Sequence, residues 1–131
     1  MSFIELGDLG EVREKQLLKE GRYTLLVESA KTKRNEKSGK DGILVILSAE
    51  GQDNTANLLH NIALPHVDDE SETKQFKMLM IKRFLVQFGI PFEDGVNTEA
   101  FSGSRGECNV TVDEYEGRQS NKLVLDPLPQ S

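Results

Sequence analysis

Apolar residues recur at every second position over several short stretches and at helical spacing over one longer stretch. Tyr23, Leu25 and Val27 share one face of a period-two pattern, which predicts a first strand over about Arg22 to Ala30. Ile43 to Leu47 is apolar without interruption, so a second strand over Ile43 to Ala49 is expected to be central. Leu58 to Leu64 reads as a third strand, stopped by Pro65. From Glu72 to Phe88 the period becomes helical. Phe76, Met80, Phe84 and Phe88 form the densest apolar arc, flanked by Ile81 and Leu85. Leu79 and Val86 fall outside that arc, so the helix is expected to be buried on more than one side, with all three helical phenylalanines in the core. Asp69 or Ser71 can cap its start, and Gly89 stands where a glycine terminates helices. Two further strands follow, over about Glu107 to Asp113 and Asn121 to Leu125. Cys108, Val110 and Val112 face inward on the first, and Pro127 and Pro129 end the second.

The remaining segments are polar. Residues 1–20 read as an arm with one short helix near Glu11 to Leu18. Lys31 to Gly42 reads as a loop, because two glycines, Asn, Ser and Asp supply turn chemistry and nothing in it can bury. Glu50 to Asn54 and Glu116-Gly117 are turns, and Asn97 to Phe101 is one helical turn. Three strands, a helix and two strands is the element order of the five-stranded Greek-key barrel called the OB-fold. The expected fold is therefore mainly β, with one helix between strands three and four. The alternative is an open antiparallel sheet with one helix packed across it. The expected organisation is an arm (1–20), one OB-fold domain (21–126) and a short tail (127–131).

A chain of 131 residues suits one domain. No apolar run is long enough for a membrane span. Met1 to Glu5 holds no basic region ahead of an apolar stretch, so no secretory signal is expected. A lone cysteine, Cys108, excludes an intramolecular disulfide and a zinc–cysteine cluster, and a cytoplasmic setting is the default. The formal charge of -6 argues against a polyanionic partner, but its distribution argues the other way. Lys31 to Lys40 carries five basic residues against Glu36, while Asp68 to Glu72 carries four acids. Screening confines charge effects to about 8–10 Å, so a polyanion senses the local patch.

That patch supplies the first candidate site: Lys31, Lys33, Arg34, Lys37 and Lys40, a cationic finger for phosphates beside the binding face of the expected barrel. The bland alternative is a solvated hairpin tip that keeps a strand edge soluble. Tyr115 shares the outward parity of Asn109, Thr111 and Asp113 and sits at the tip of the last hairpin, where it can stack a base or pack on its partner strand. Tyr23 shares the Leu25–Val27 face, which suits a core ring with its hydroxyl at the rim better than a stacking platform. Arg22, Arg105, Arg118 and Lys122 are further phosphate candidates. Lys74, Lys77, Lys82 and Arg83 lie on the helix and read as a solvated face.

No catalytic motif is present: no nucleophile elbow, phosphate-binding loop or dinucleotide glycine pattern. His60, His66, Asp68, Asp69 and Glu70 have no recognised ligand spacing, and His60 shares a face with Leu58 and Ile62. Cys108 points inward, away from reactive chemistry. The reading is thus non-enzymatic, without cofactor or metal. A magnesium-dependent nuclease is the enzymatic rival.

Glu20-Gly21-Arg22-Tyr23, the lysine-rich loop ending Lys37-Ser38-Gly39-Lys40, the helix ending Phe84 to Ile90 and the hairpin Val110 to Gly117 with Asn121-Lys122 together resemble a family of small bacteriophage single-stranded-DNA-binding proteins with an OB-fold. The resemblance spans about residues 20 to 125. It implies a protein that coats single strands in phage replication or recombination, in the cytoplasm of an infected bacterium. Phage or host replication and recombination proteins are then expected partners. Two departures stand out. Ser102 to Gly106 lacks the Gly-Lys pair usual before strand four, and Asp126 to Ser131 is no long acidic tail. The competing reading is an OB-fold module that recruits a replication factor without binding DNA. The apolar arm and helix are compatible with a homodimer.

Overall fold

A computed structural model describes residues 2–129. Five strands and one helix occur in the expected order: β1 (Gly21–Arg34), β2 (Asp41–Ala49), β3 (Leu58–Ala63), α1 (Ser71–Gln87), β4 (Arg105–Tyr115) and β5 (Arg118–Val124). The strands form one sheet of order β3-β2-β1-β4-β5 in which every neighbouring pair is antiparallel. The two edge strands, β3 and β5, approach each other without a hydrogen-bond ladder, so pairing leaves the sheet open. Gln130 and Ser131 of the expected tail, and Met1 of the arm, lie outside the described residues.

The inner face of the sheet holds the core. Leu25, Val27, Val45, Leu47, Leu58, Cys108 and Val110 are buried there, covered by Ile81, Phe84, Leu85 and Phe88 of the helix and by Phe101. Phe84 stacks on three rings: His60 at 5.6 Å, Phe88 at 4.5 Å and Phe101 at 5.5 Å. Side chains of this size contribute about 1.5–3 kcal/mol each when fully buried. The helix stops where Gly89 adopts φ +65°. The Ile90 N–H then bonds Leu85 O (2.9 Å), the Gly89 N–H bonds Val86 O (3.2 Å), and Ile90 and Leu85 are both buried, a complete Schellman closure. Gly106, at the foot of β4, lets this helix end dock. A Cβ there would lie 2.8 Å from Gln87 O and 3.0 Å from the Phe88 ring.

Several expectations are corrected. The twelve-residue loop is only Asn35 to Lys40, because β1 runs on to Arg34 and β2 begins at Asp41. Beyond Ala30 the β1 side chains are all exposed and the strand is held only by its ladder to β2, which pairs on with β3, so apolar alternation does not mark it. The expected arm helix reduces to one 3-10 turn, Leu9–Glu11. The segment after it is extended and docks through Gln16, whose N–H bonds Asn54 O (2.9 Å), and through buried Leu18, held at both backbone groups by the Asn121 amide. Neither Asp69 nor Ser71 caps the helix; Glu70 occupies that position without a side-chain bond. Phe76 is not core but 61% exposed. The apolar stripe from Phe76 to Phe88 starts in solvent and descends into the core, since only the C-terminal half of the helix is covered. Met78 remains exposed for the same reason, whereas Val86, in the covered half, is exposed on the side of the helix away from Phe84 and Phe88.

Candidate nucleic-acid interface

The candidate residues fall into two groups at opposite ends of the sheet. β4 is antiparallel to β1 and pairs Val110 with Gly21, so the β4–β5 tip projects past the start of β1. The β1–β2 tip projects from the other end, thirteen residues further along β1. Lys31, Lys33, Arg34, Lys37 and Lys40 belong to the second tip. Tyr115 and Arg118 belong to the first, with Lys122 along its β5 arm.

A β-bulge decides where the ribbon lysines point. Val27 pairs with Leu47 but Ser29 pairs with Ile46, leaving Glu28 as the extra residue. Without it, Lys31 and Lys33 would share the face of Leu25 and Val27. With it, Lys31 lies opposite Leu44 and Lys33 opposite Gly42, on the outer face with Asn61 and the exposed Leu59. Asn35 braces the tip: its Oδ1 accepts from Lys37 N (2.9 Å) and Ser38 N (3.3 Å), and its carbonyl accepts from Gly39 N (2.7 Å). At the foot of the tip lies a cleft of about 440 Å³ whose lining includes Lys33, Lys40 and Asp41 together with Ile43, Asn61 and Ile62.

Ion pairing separates the cations. Arg34 Nε sits 2.9 Å from Asp41 Oδ1, and the hydrogen bond holds the Asp41 carboxyl below its ordinary value. Lys40 Nζ lies 3.8 Å from Asp69 Oδ1. The Asp69 side chain is 2% exposed, and its Oδ2 accepts from Lys77 Nζ (2.8 Å) and from the His66 N–H (2.8 Å). The Lys77 hydrogen bond, followed by that from His66, lowers the Asp69 carboxyl below the usual range. Arg22 is bound to Asp126 at 2.8 Å and lies 3.7 Å from Glu107, while Lys122 lies 3.6 Å from Asp113. Arg105 is paired with Glu50. Among the described residues, Lys31, Lys33, Lys37 and Arg118 form no ion pair.

The two tyrosines do not share a face. Tyr23 pairs with buried Cys108 on the inner side and donates its hydroxyl to Lys19 O (2.6 Å). Tyr115 is 77% exposed and pairs with Arg118 on the outer side. His60 lies against Phe84 in the core, where burial first and Lys122 second push its pKa down. Burial pushes the Cys108 thiol up to about 12. Among the described residues no cluster of three His, Cys, Asp or Glu is placed to hold a metal ion, and no helix is long and apolar enough to cross a membrane.

No family model matches this chain, and no curated protein matches it. Its site is therefore read from geometry and charge. Sequence reasoning identified the basic cluster but missed three things: the bulge that orients it, the carboxylates that neutralise part of it, and the exposure of Phe76. Only the Asp41 pairing had a signal in the chain, an acid directly facing Arg34 across a hairpin.

Proposed function

We propose that this protein binds single-stranded DNA, largely without sequence preference, through the β1–β2 ribbon. The observation that carries this reading is the contrast between Lys31, Lys33 and Lys37, which form no ion pair among the described residues, and a chain that is acidic in total. Three unneutralised ammonium groups at one end of the sheet, with Lys33 lining a cleft there, suit the phosphates of a flexible polyanion. The sheet order supports an OB-type arrangement: cutting a five-stranded Greek-key barrel between its third and fifth strands gives β3-β2-β1-β4-β5, and here those two edges approach each other. The biological setting proposed is coating of single strands in the cytoplasm during phage replication or recombination, without catalysis.

Electrostatics dominates such binding. At about 0.7 per neutralised phosphate on single strands, three lysines give a slope near −2 in log K against log salt. Fluorescence anisotropy with labelled oligo-dT at low salt tests the reading. Saturable binding is expected, and its absence there overturns the proposal in favour of a protein-interaction module.

A further inference from the structure

We infer that Phe76 is a base-stacking platform, and that a bound single strand runs from the cationic cleft across the exposed end of β3 to this ring. The inference rests on the nucleic-acid reading above and names the residue that would take a nucleobase.

Three observations bring Phe76 to this role. The ring is 61% exposed although it belongs to the stripe that continues into Met80, Phe84 and Phe88. It lines a second cleft, of about 200 Å³, with His60, Lys77, Met80 and Leu125, and this cleft shares Asn61, Ile62 and Ala63 with the cationic one. The common wall spans about 7 Å at 3.3 Å per residue, short enough for the phosphate and base of neighbouring nucleotides. Asp69 ties the two clefts together, since it holds Lys40 of the first and Lys77 of the second. An open aromatic face suits sequence-tolerant stacking, because every base offers a π-face; Lys77, the one lysine lining this cleft, is held by Asp69. Tyr115, the other exposed aromatic near cations, stands at the far end of the sheet.

The chain contains no tryptophan, so Phe76→Trp installs a single emitter at the ring. Titration with oligo-dT is expected to quench that emission in step with the anisotropy of the labelled strand, while Tyr115→Trp stays unquenched. Phe76→Ala should bind oligo-dT at least about fivefold more weakly, with unchanged circular dichroism, and Phe76→Tyr should bind like wild type. Normal anisotropy with an unquenched Phe76→Trp and wild-type affinity in Phe76→Ala overturns the role of Phe76 and leaves the ribbon reading standing. No binding of oligo-dT by the unsubstituted protein overturns both.

Discussion

The β1–β2 and β4–β5 hairpins are both antiparallel but carry opposite charge at their tips. Residues 31–40 of the β1–β2 ribbon hold five cations and one acid, whereas residues 113–118 of the β4–β5 hairpin hold Asp113, Glu114 and Glu116 against Arg118. The ribbon tip is a six-residue loop braced by Asn35, and its foot is clasped to the helix through Lys40, Asp69 and Lys77. The other tip is a two-residue turn in which Glu116 (φ 51°) and Gly117 (φ 77°) both adopt left-handed conformations. An exposed aromatic beside an arginine, as at Tyr115 and Arg118, is thus set in an acidic surround that repels phosphate. Three lysines without an aromatic among them stand where phosphate is attracted. Local charge sign, more than the presence of a ring, is what separates the two hairpin tips.

Reversing the ribbon tests this difference most severely. Lys31→Glu, Lys33→Glu and Lys37→Glu together should weaken oligo-dT binding on the order of 100-fold at low salt, read by anisotropy, with the fold intact by circular dichroism. The clasp under the ribbon gives the next effect. The Asp69 carboxyl is depressed in the folded state, so its contribution is present above the ordinary carboxylate value of about 3.9 and is lost as pH falls through the lower folded value. Asp69→Asn should lower the melting temperature at neutral pH, and its deficit against wild type should shrink as the pH of the melts is lowered through that range. A smaller effect is expected at the opposite tip. A left-handed residue other than glycine is strained, and asparagine tolerates the conformation best, so Glu116→Asn should stabilise by up to about 1 kcal/mol in urea melts. Smallest of all, Tyr115→Ala should change oligo-dT affinity by less than about twofold. A larger loss would move the contact to the β4–β5 hairpin.

The element order, the inward face of each strand and the end of the helix were legible in the chain, because core faces repeat at fixed periods and Gly89 marks the helix stop. The rest depends on features that leave no periodic trace. The ribbon beyond Ala30 buries nothing, so Lys31 to Arg34 look like loop. The bulge at Glu28 carries no glycine or proline to announce it, yet it turns Lys31 and Lys33 to the outer face. Phe76 lies in register with Phe84 and Phe88, and only the limited cover over the helix's first half distinguishes it from them. Long-range pairings such as Arg22 with Asp126 and Lys40 with Asp69 join residues far apart in sequence, where no local pattern connects them.

The salt dependence of oligo-dT binding measures most directly whether ribbon cations hold the strand. The slope of log K against log salt is expected near −2 for the unsubstituted protein, close to zero for the triple ribbon reversal and still near −2 for Arg118→Glu. A ribbon reversal that keeps the full slope, or an Arg118→Glu variant that loses it, would contradict the assignment of phosphate contacts to Lys31, Lys33 and Lys37.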